Sequence, residues 1–139
     1  MKHLYPVICR VTRKSVSDGK SEVIHLGKAY LTQFSDGISL VYHESTNEEN
    51  CKVTLEVNDE IITCLRQGES VTMCTWQNLA PTSISIKSPL GQHLFNVMTH
   101  QVIIERELIL VDYELMVDAD VIDRIEMKWE IKEDIHESD

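Results

Sequence analysis

The segment from Ile125 to Ile131 alternates apolar and charged residues without a break. Every residue between its apolar positions is Glu or Lys, and those apolar positions are Ile125, Met127, Trp129 and Ile131. Because successive side chains of a β-strand point to opposite faces, this period of two predicts a strand with one buried and one solvated face. The same alternation recurs along most of the chain and predicts an all-β protein.

Turn-forming residues divide this pattern into about ten strand candidates. Asp18-Gly19 and Asp36-Gly37 separate alternating runs, and Asp-Gly pairs favour the tight turns of β-hairpins. Gly27 interrupts the second run and predicts a bulge or a barrel corner. Only Val117 to Arg124 has some helical spacing. A barrel and a sandwich both fit this pattern, and the short connections favour an antiparallel, mostly up-and-down barrel of about eight to ten strands.

The length of 139 residues is enough for one domain with its own core. We predict a single barrel over residues 1–132 and a polar, frayed tail over residues 133–139. No apolar run approaches the roughly 20 residues that a membrane-spanning helix needs. The first residues also lack the apolar stretch of a signal peptide. These features predict a cytoplasmic protein with no membrane partner.

The formal net charge of −10 is unevenly distributed along the chain. Residues 1–34 carry six basic and two acidic side chains, whereas residues 105–139 carry four basic and thirteen acidic ones. An acidic surface disfavours non-specific binding of nucleic acid, since neutralisation of phosphates supplies most of that affinity. Nucleic acid is therefore an unlikely partner.

The sequence contains no recognisable catalytic, cofactor or metal motif. Its glycines form no phosphate-binding loop, and no HExxH, GxSxG or CxxC is present. We expect no cofactor and no metal site. The four cysteines, three of them within strand-like runs, are predicted to be structural thiols: Cys9, Cys51, Cys64 and Cys74.

Several short segments occur in an order that resembles a known family. They are Gly27-Lys28-Ala29-Tyr30, Tyr42-His43-Glu44, Arg66-Gln67-Gly68, Ser88-Pro89-Leu90-Gly91 and Asp112-Tyr113-Glu114-Leu115. Over roughly residues 7–132 the chain resembles the DUF1934 (YwiB-like) family of uncharacterised bacterial proteins. The resemblance implies a calycin-like barrel related to lipocalins and a bacterial, cytoplasmic protein. It implies no particular activity.

Polar side chains on otherwise apolar strand faces are the candidate ligand-binding residues. Tyr42 and Tyr113 share faces with aliphatic residues, and Arg66 ends a strand whose inner face carries Ile62 and Cys64. An arginine partnered by a carboxylate or tyrosine can orient the acid or amide group of a ligand. Trp129 offers either a ring-stacking surface or core packing. In the alternative interpretation Arg66 closes the barrel by hydrogen-bonding carbonyl groups or by stacking on Trp129.

Two functions from different classes fit these observations. The first is a non-enzymatic barrel that holds a small, partly apolar ligand near Tyr42, Arg66, Tyr113 and Trp129. The alternative is a protein-interaction module whose acidic face meets a basic partner. That face would comprise Asp118, Asp120, Asp123 and Glu126. Exposed strand edges would in addition allow homodimerisation.

Overall fold

The chain forms ten β-strands. The computed structural model describes residues 3–44 and 50–133, and all regular structure in these ranges is β-strand. The strands are β1 (His3–Ser15), β2 (Ser21–Phe34), β3 (Gly37–His43), β4 (Lys52–Asn58), β5 (Ile61–Gln67), β6 (Val71–Gln77), β7 (Pro81–Ser88), β8 (Gly91–Glu105), β9 (Leu108–Val117) and β10 (Asp120–Glu133). None of the described residues belongs to a helix long and apolar enough to cross a membrane.

The strands close into one antiparallel barrel. Each strand pairs with its neighbours in sequence, and β1 completes the ring by pairing with both β2 and β10. This confirms the predicted all-β, up-and-down barrel. Closure leaves none of the ten described strands with a free edge, so the route to homodimerisation through such edges is absent from this part of the chain.

Alternation in the sequence becomes alternation between the inside and the outside of the barrel. Along β10, Ile125, Met127 and Trp129 are buried, whereas the charged residues between them are half-buried. On the neighbouring β1, Val11 lies opposite Trp129 and Cys9 lies opposite Ile131, and all four side chains are buried. The hydrophobic core is therefore the interior of the barrel.

Two local predictions need correction. The irregularity in β2 is not at Gly27, which pairs with Cys9, but between the pairs of Val11 and Thr12, where Ile24 is the extra residue. The segment with helical spacing is a turn that leads into β10, and Asp118 adopts a positive φ of 54° there. A tight connection between two long strands leaves no room for a helical turn.

The barrel has two different ends. We call the terminal end the one where β1 begins, β10 ends and the connections after β2, β4, β6 and β8 lie. The distal end carries the connections after the odd-numbered strands. β10 extends through Glu133, one residue into the predicted tail, and the rest of that tail lies outside the described residues, as does most of the predicted loop at 45–50.

Gly37 is required at the terminal end by a close approach between strands. A Cβ atom at this position would lie 1.9 Å from the carbonyl oxygen of Val57 on β4. Any other residue would push β3 away from β4 at the point where the barrel opens. The Asp36-Gly37 pair thus serves packing as well as the predicted turn.

Candidate functional site

Aromatic rings fill the middle of the barrel. The indole Nε1–H of Trp129 donates a buried hydrogen bond of 3.1 Å to the hydroxyl of Tyr42. His25 stacks on Tyr42 with ring centroids 4.5 Å apart. Trp76 contacts Trp129 and Tyr113, at centroid distances of 5.9 Å and 5.3 Å. We call these five residues the aromatic waist.

The aromatic waist contains neutral phenols. Burial raises the pKa of Tyr42 well above its usual value, and burial likewise raises the pKa of Tyr113. Both hydroxyl groups therefore keep their protons at physiological pH. The Tyr42 hydroxyl can then accept from Trp129 and still donate its own hydrogen, which keeps the interior uncharged at this level.

Arg66 forms an ion pair with Glu44, whose side chain is only 3% exposed. Its Nε lies 3.1 Å from Oε2 and its Nη2 lies 2.7 Å from Oε1, a bidentate geometry. The hydrogen bond to Glu44 is the main cause that raises the pKa of Arg66. The guanidinium of Arg66 thus pairs with this carboxylate. The alternative interpretation of the sequence had expected it to bond to carbonyl groups or to stack on the Trp129 ring.

The four predicted ligand residues do not converge on one point. Tyr42 and Trp129 form a hydrogen bond with each other, and the ring of Trp76 lies between those of Trp129 and Tyr113 and contacts both. Arg66 lies instead at the distal end of β5, where it meets Glu44 just after β3. None of the four lines the cavity at the terminal end.

That cavity, of about 940 Å³, opens between the strand ends of the terminal end. Its apolar floor consists of Val7, Leu31, Ile38, Val57 and Ile131. The next inward positions on β1, β3, β4 and β10 are fully buried, and they are Cys9, Leu40, Leu55 and Trp129. This buried layer, which includes Trp129 of the aromatic waist, therefore closes the cavity on its inner side.

The rim of the cavity is acidic. Among the described residues it carries one guanidinium, that of Arg106, and five carboxylates, those of Asp36, Asp59, Glu105, Glu107 and Glu133. The Nη2 of Arg106 lies 3.7 Å from Oε1 of Glu133, and both side chains are largely exposed. The backbone N–H of Ile131 donates to the carbonyl of Glu107 at 2.9 Å, which holds the connection after β8 against β10. An excess of carboxylates around an apolar recess creates a negative potential where a ligand would enter.

Sequence reasoning missed these cavity residues. A signal was nevertheless present, because Val7, Ile38, Val57 and Ile131 are inward apolar positions close to the terminal-end limits of their strands. Strand alternation identified them as core, but it could not tell a filled layer from an open one.

The acidic face predicted at the end of the chain is partly used within the protein. The carboxylate of Asp123 accepts hydrogen bonds from the hydroxyls of Ser15, at 2.7 Å, and of Ser17. The bond from Ser17 is the main cause that lowers the pKa of Asp123. Asp118 and Asp120 remain exposed at the β9–β10 connection, and Glu126 is half-buried.

The four cysteines are buried and form no disulfide, which confirms their predicted role as small apolar groups. Burial raises the pKa of Cys9 and of Cys64 to about 12, and it raises the pKa of Cys74 as well. These thiols are therefore protonated and poor nucleophiles. Within residues 3–44 and 50–133, no group of three or more His, Cys, Asp or Glu side chains is placed to hold a metal ion.

Comparison with known proteins places the chain in a family without an assigned activity. The family model described as "Domain of unknown function (DUF1934)" matches residues 8–128. No curated protein matches the chain. The crystal structure of the YwiB protein from Bacillus subtilis is similar, with a TM-score of 0.74 at 16% identity over 95% of this chain and 94% of that one. At this identity the similarity concerns the fold.

Proposed function

This chain belongs to the DUF1934 family, whose description assigns no function. We propose that it binds, at the terminal end of its barrel, a small and partly apolar molecule that carries a positively charged group. The observation that carries this proposal is the cavity of about 940 Å³, with its apolar floor and acidic rim. The proposed activity is binding rather than catalysis, since the described residues that line the cavity include no Ser, Thr, Cys, Lys or His.

The size and lining of the cavity fit a small molecule. Ligand pockets in proteins typically measure about 300–1,000 Å³ and combine an apolar wall with a few polar groups. The floor side chains come from strands whose backbones are fixed by pairing on both sides. Such a floor does not have to be ordered when the ligand arrives, so little affinity is lost to reorganisation.

The charge of the rim selects the class of ligand. Among the described residues of the rim, five carboxylates outnumber one guanidinium. An ammonium or guanidinium group on the ligand therefore gains favourable interactions. An acid of the same shape would meet repulsion from the same groups. The exposed position of the rim means that this selectivity weakens as ionic strength rises.

In this proposal the predicted ligand residues do not contact the ligand, and two of them, Tyr42 and Trp129, support the floor of the cavity. Trp129 is two residues further into the barrel than Ile131 on the same face of β10, and its hydrogen bond to Tyr42 holds it beneath the floor. Tyr113 and Arg66 belong to other parts of the barrel. Direct contact with the ligand is assigned instead to the floor and rim.

Isothermal titration with 1-naphthylmethylamine and with 1-naphthoate, which share one ring system, tests the proposal. We expect the amine to bind more tightly. The variant Val57→Phe fills the floor and should weaken amine binding by about tenfold or more, since a steric overlap of this kind costs more than about 1.4 kcal/mol. Thr54→Phe, on the outer face of the same strand, is the matched control. Equal loss in both variants would contradict a ligand at the floor.

Neutralising the rim tests the charge of the ligand separately. Asp59→Asn with Glu107→Gln should reduce the preference for the amine over the acid and leave the affinity for the acid unchanged or improved. Asp18→Asn with Glu22→Gln removes the same charge at the distal end and should leave the preference unchanged. A preference that falls equally in both double variants would reflect net charge alone and would contradict recognition at the rim.

Native mass spectrometry of the protein purified from its source cells identifies the natural ligand. We expect an additional mass that disappears on denaturation and that Val57→Phe does not retain. A chain of 16.0 kDa with no additional mass, together with failure of the amine titration, would favour the alternative of an acidic interaction surface. Hydrogen bonding of Asp123 to two serines makes that alternative the weaker one.

A further inference from the structure

Two polar side chains inside the barrel have no hydrogen-bond partner. The Nε1 of Trp76 and the Oγ1 of Thr99 are both buried without one, and the two residues are only 3% and 0% exposed. An unpaired buried polar group destabilises the folded state. Both atoms are therefore available to a hydrogen-bond partner from outside the chain.

Both groups lie against the same residue, Tyr113. Thr99 on β8 is directly opposite Tyr113 on β9, so that their inward side chains are neighbours. The ring of Trp76 is 5.3 Å from the ring of Tyr113, centroid to centroid. The row continues sideways from Tyr113 to Ile125 and then to Ser15, which are buried. The unpaired atoms therefore belong to one region of the interior, beside Tyr113 of the aromatic waist.

A cation also points toward this region. Arg13 has the inward parity of β1, between the buried side chains of Val11 and Ser15, and it lies opposite the buried Met127. Its side chain is half-buried, and no carboxylate among the described residues forms an ion pair with it. The charge of Arg13 acts to lower the pKa of Tyr113, against the larger effect of burial, which is consistent with a position near the phenol.

We propose that Arg13, Trp76, Thr99 and Tyr113 form a second binding site, inside the barrel beside the aromatic waist, that takes a small oxyanion such as a carboxylate or a phosphate. It is separate from the cavity at the terminal end and does not depend on the function proposed for that cavity.

The donor set determines the class of ligand. An indole N–H and a guanidinium can only donate hydrogen bonds, whereas the hydroxyls of Thr99 and Tyr113 donate as readily as they accept. The group that satisfies all four must therefore be an acceptor, and a negative one balances Arg13. The carboxylate bonded to Ser15 at the end of the row, that of Asp123, also accepts hydrogen bonds from Ser17 and from the backbone N–H of Arg124.

Nuclear magnetic resonance of the ¹⁵N-labelled protein gives a direct test, because the chain contains two tryptophans. The indole N–H of Trp129 is bonded to Tyr42, whereas that of Trp76 is unpaired. We expect formate or inorganic phosphate, added at constant ionic strength, to shift the Trp76 indole signal in a saturable way and to leave that of Trp129 nearly unmoved. The variant Trp76→Phe assigns the two signals. Whichever anion binds more tightly distinguishes a carboxylate site from a phosphate site.

Two variants and one control decide the outcome. Arg13→Gln should weaken binding by about tenfold or more, and Thr99→Val by a smaller factor. Arg10→Gln removes an exposed arginine from the outer face of the same strand and should bind as the unmodified protein does. Equal weakening by Arg10→Gln and Arg13→Gln, or an indole signal that neither anion moves, would overturn the proposal and leave a buried water as the partner of Trp76. Binding of the naphthyl amine would be unaffected by that result.

Discussion

The two ends of the barrel are built from the same ten strands and treat their charges in opposite ways. At the terminal end the charged side chains lie exposed on a rim, and the interior behind them is an apolar recess. At the distal end charged side chains turn inward and are bonded, as Glu44 is to Arg66 and Asp123 is to Ser15. Binding of a cationic ligand requires accessible carboxylates. The comparison therefore favours the terminal end as the place where that ligand enters.

Side-chain size explains much of this difference. The inward residues of β3 run from Ile38 at the terminal end through Leu40 to Tyr42, and Glu44 follows at the distal end. On β4 they are Val57, Leu55 and Val53, which show no such gradient. Along β3 and the residue that follows it, the longest and most polar side chains thus lie toward the distal end. Shorter aliphatic side chains at the terminal end do not reach one another, and the recess remains.

The largest expected effect is at the distal end. Arg66→Met removes the guanidinium that pairs with the buried carboxylate of Glu44, and the free energy of unfolding should fall by about 2–3 kcal/mol at pH 7. Urea denaturation followed by circular dichroism measures the loss. The double variant Arg66→Met with Glu44→Gln removes the charge as well and should recover part of it. A double variant less stable than Arg66→Met would show that the pair is not coupled in this way.

A smaller effect is expected at the aromatic waist, between the two ends. Tyr42→Phe removes the acceptor of the Trp129 indole N–H and should cost about 1–2 kcal/mol, because a buried donor is left unpaired. The fluorescence of Trp129 should change in the same variant. Tyr30→Phe, on the exposed outer face, is the matched control. Unchanged stability in Tyr42→Phe would mean that a water replaces the hydroxyl, and the waist would then be more open than the distal end.

The smallest effect concerns charge pairs outside the barrel. Arg124 donates to both carboxylate oxygens of Asp112, at 3.0 Å and 2.9 Å, and this is the main cause that lowers the pKa of Asp112. A folded-state pKa below the unfolded one gives stability that is present above the unfolded value and is lost as the pH falls through the folded value. Arg124→Gln should therefore lower the melting temperature slightly at pH 7, and the difference should disappear in strong acid.

The corresponding pair at the terminal rim should contribute less still. Arg106 and Glu133 are 3.7 Å apart and largely exposed, so Arg106→Gln should leave the melting temperature unchanged between pH 3 and pH 7. A loss as large as that of Arg124→Gln would mean that the rim is more ordered than its exposure indicates, and it would weaken the contrast between the two ends.

The fold was predictable because its signals are local. The alternation in β10 depends only on which residues are neighbours in sequence, and so does the Ser88-Pro89-Leu90-Gly91 turn, where Gly91 adopts a φ of 133°. The candidate site was predicted only in part. Tyr42 and Trp129 are 87 residues apart, and their hydrogen bond follows from closure of the barrel. The ion pair of Glu44 and Arg66 likewise joins the end of β3 to β5 and depends on the arrangement of the strands.

Sequence alone determined that this protein is an antiparallel barrel, which inward positions are apolar, and that its cysteines are buried thiols. These properties follow from the period-two pattern and from turn chemistry, which act over a few residues. Only the tertiary structure decided which layer of the barrel is open, which charges are paired, and that the unpaired atoms of Trp76 and Thr99 adjoin one tyrosine. The physical reason is that cavities and hydrogen bonds depend on the register and closure of strands far apart in sequence, and no local pattern encodes these.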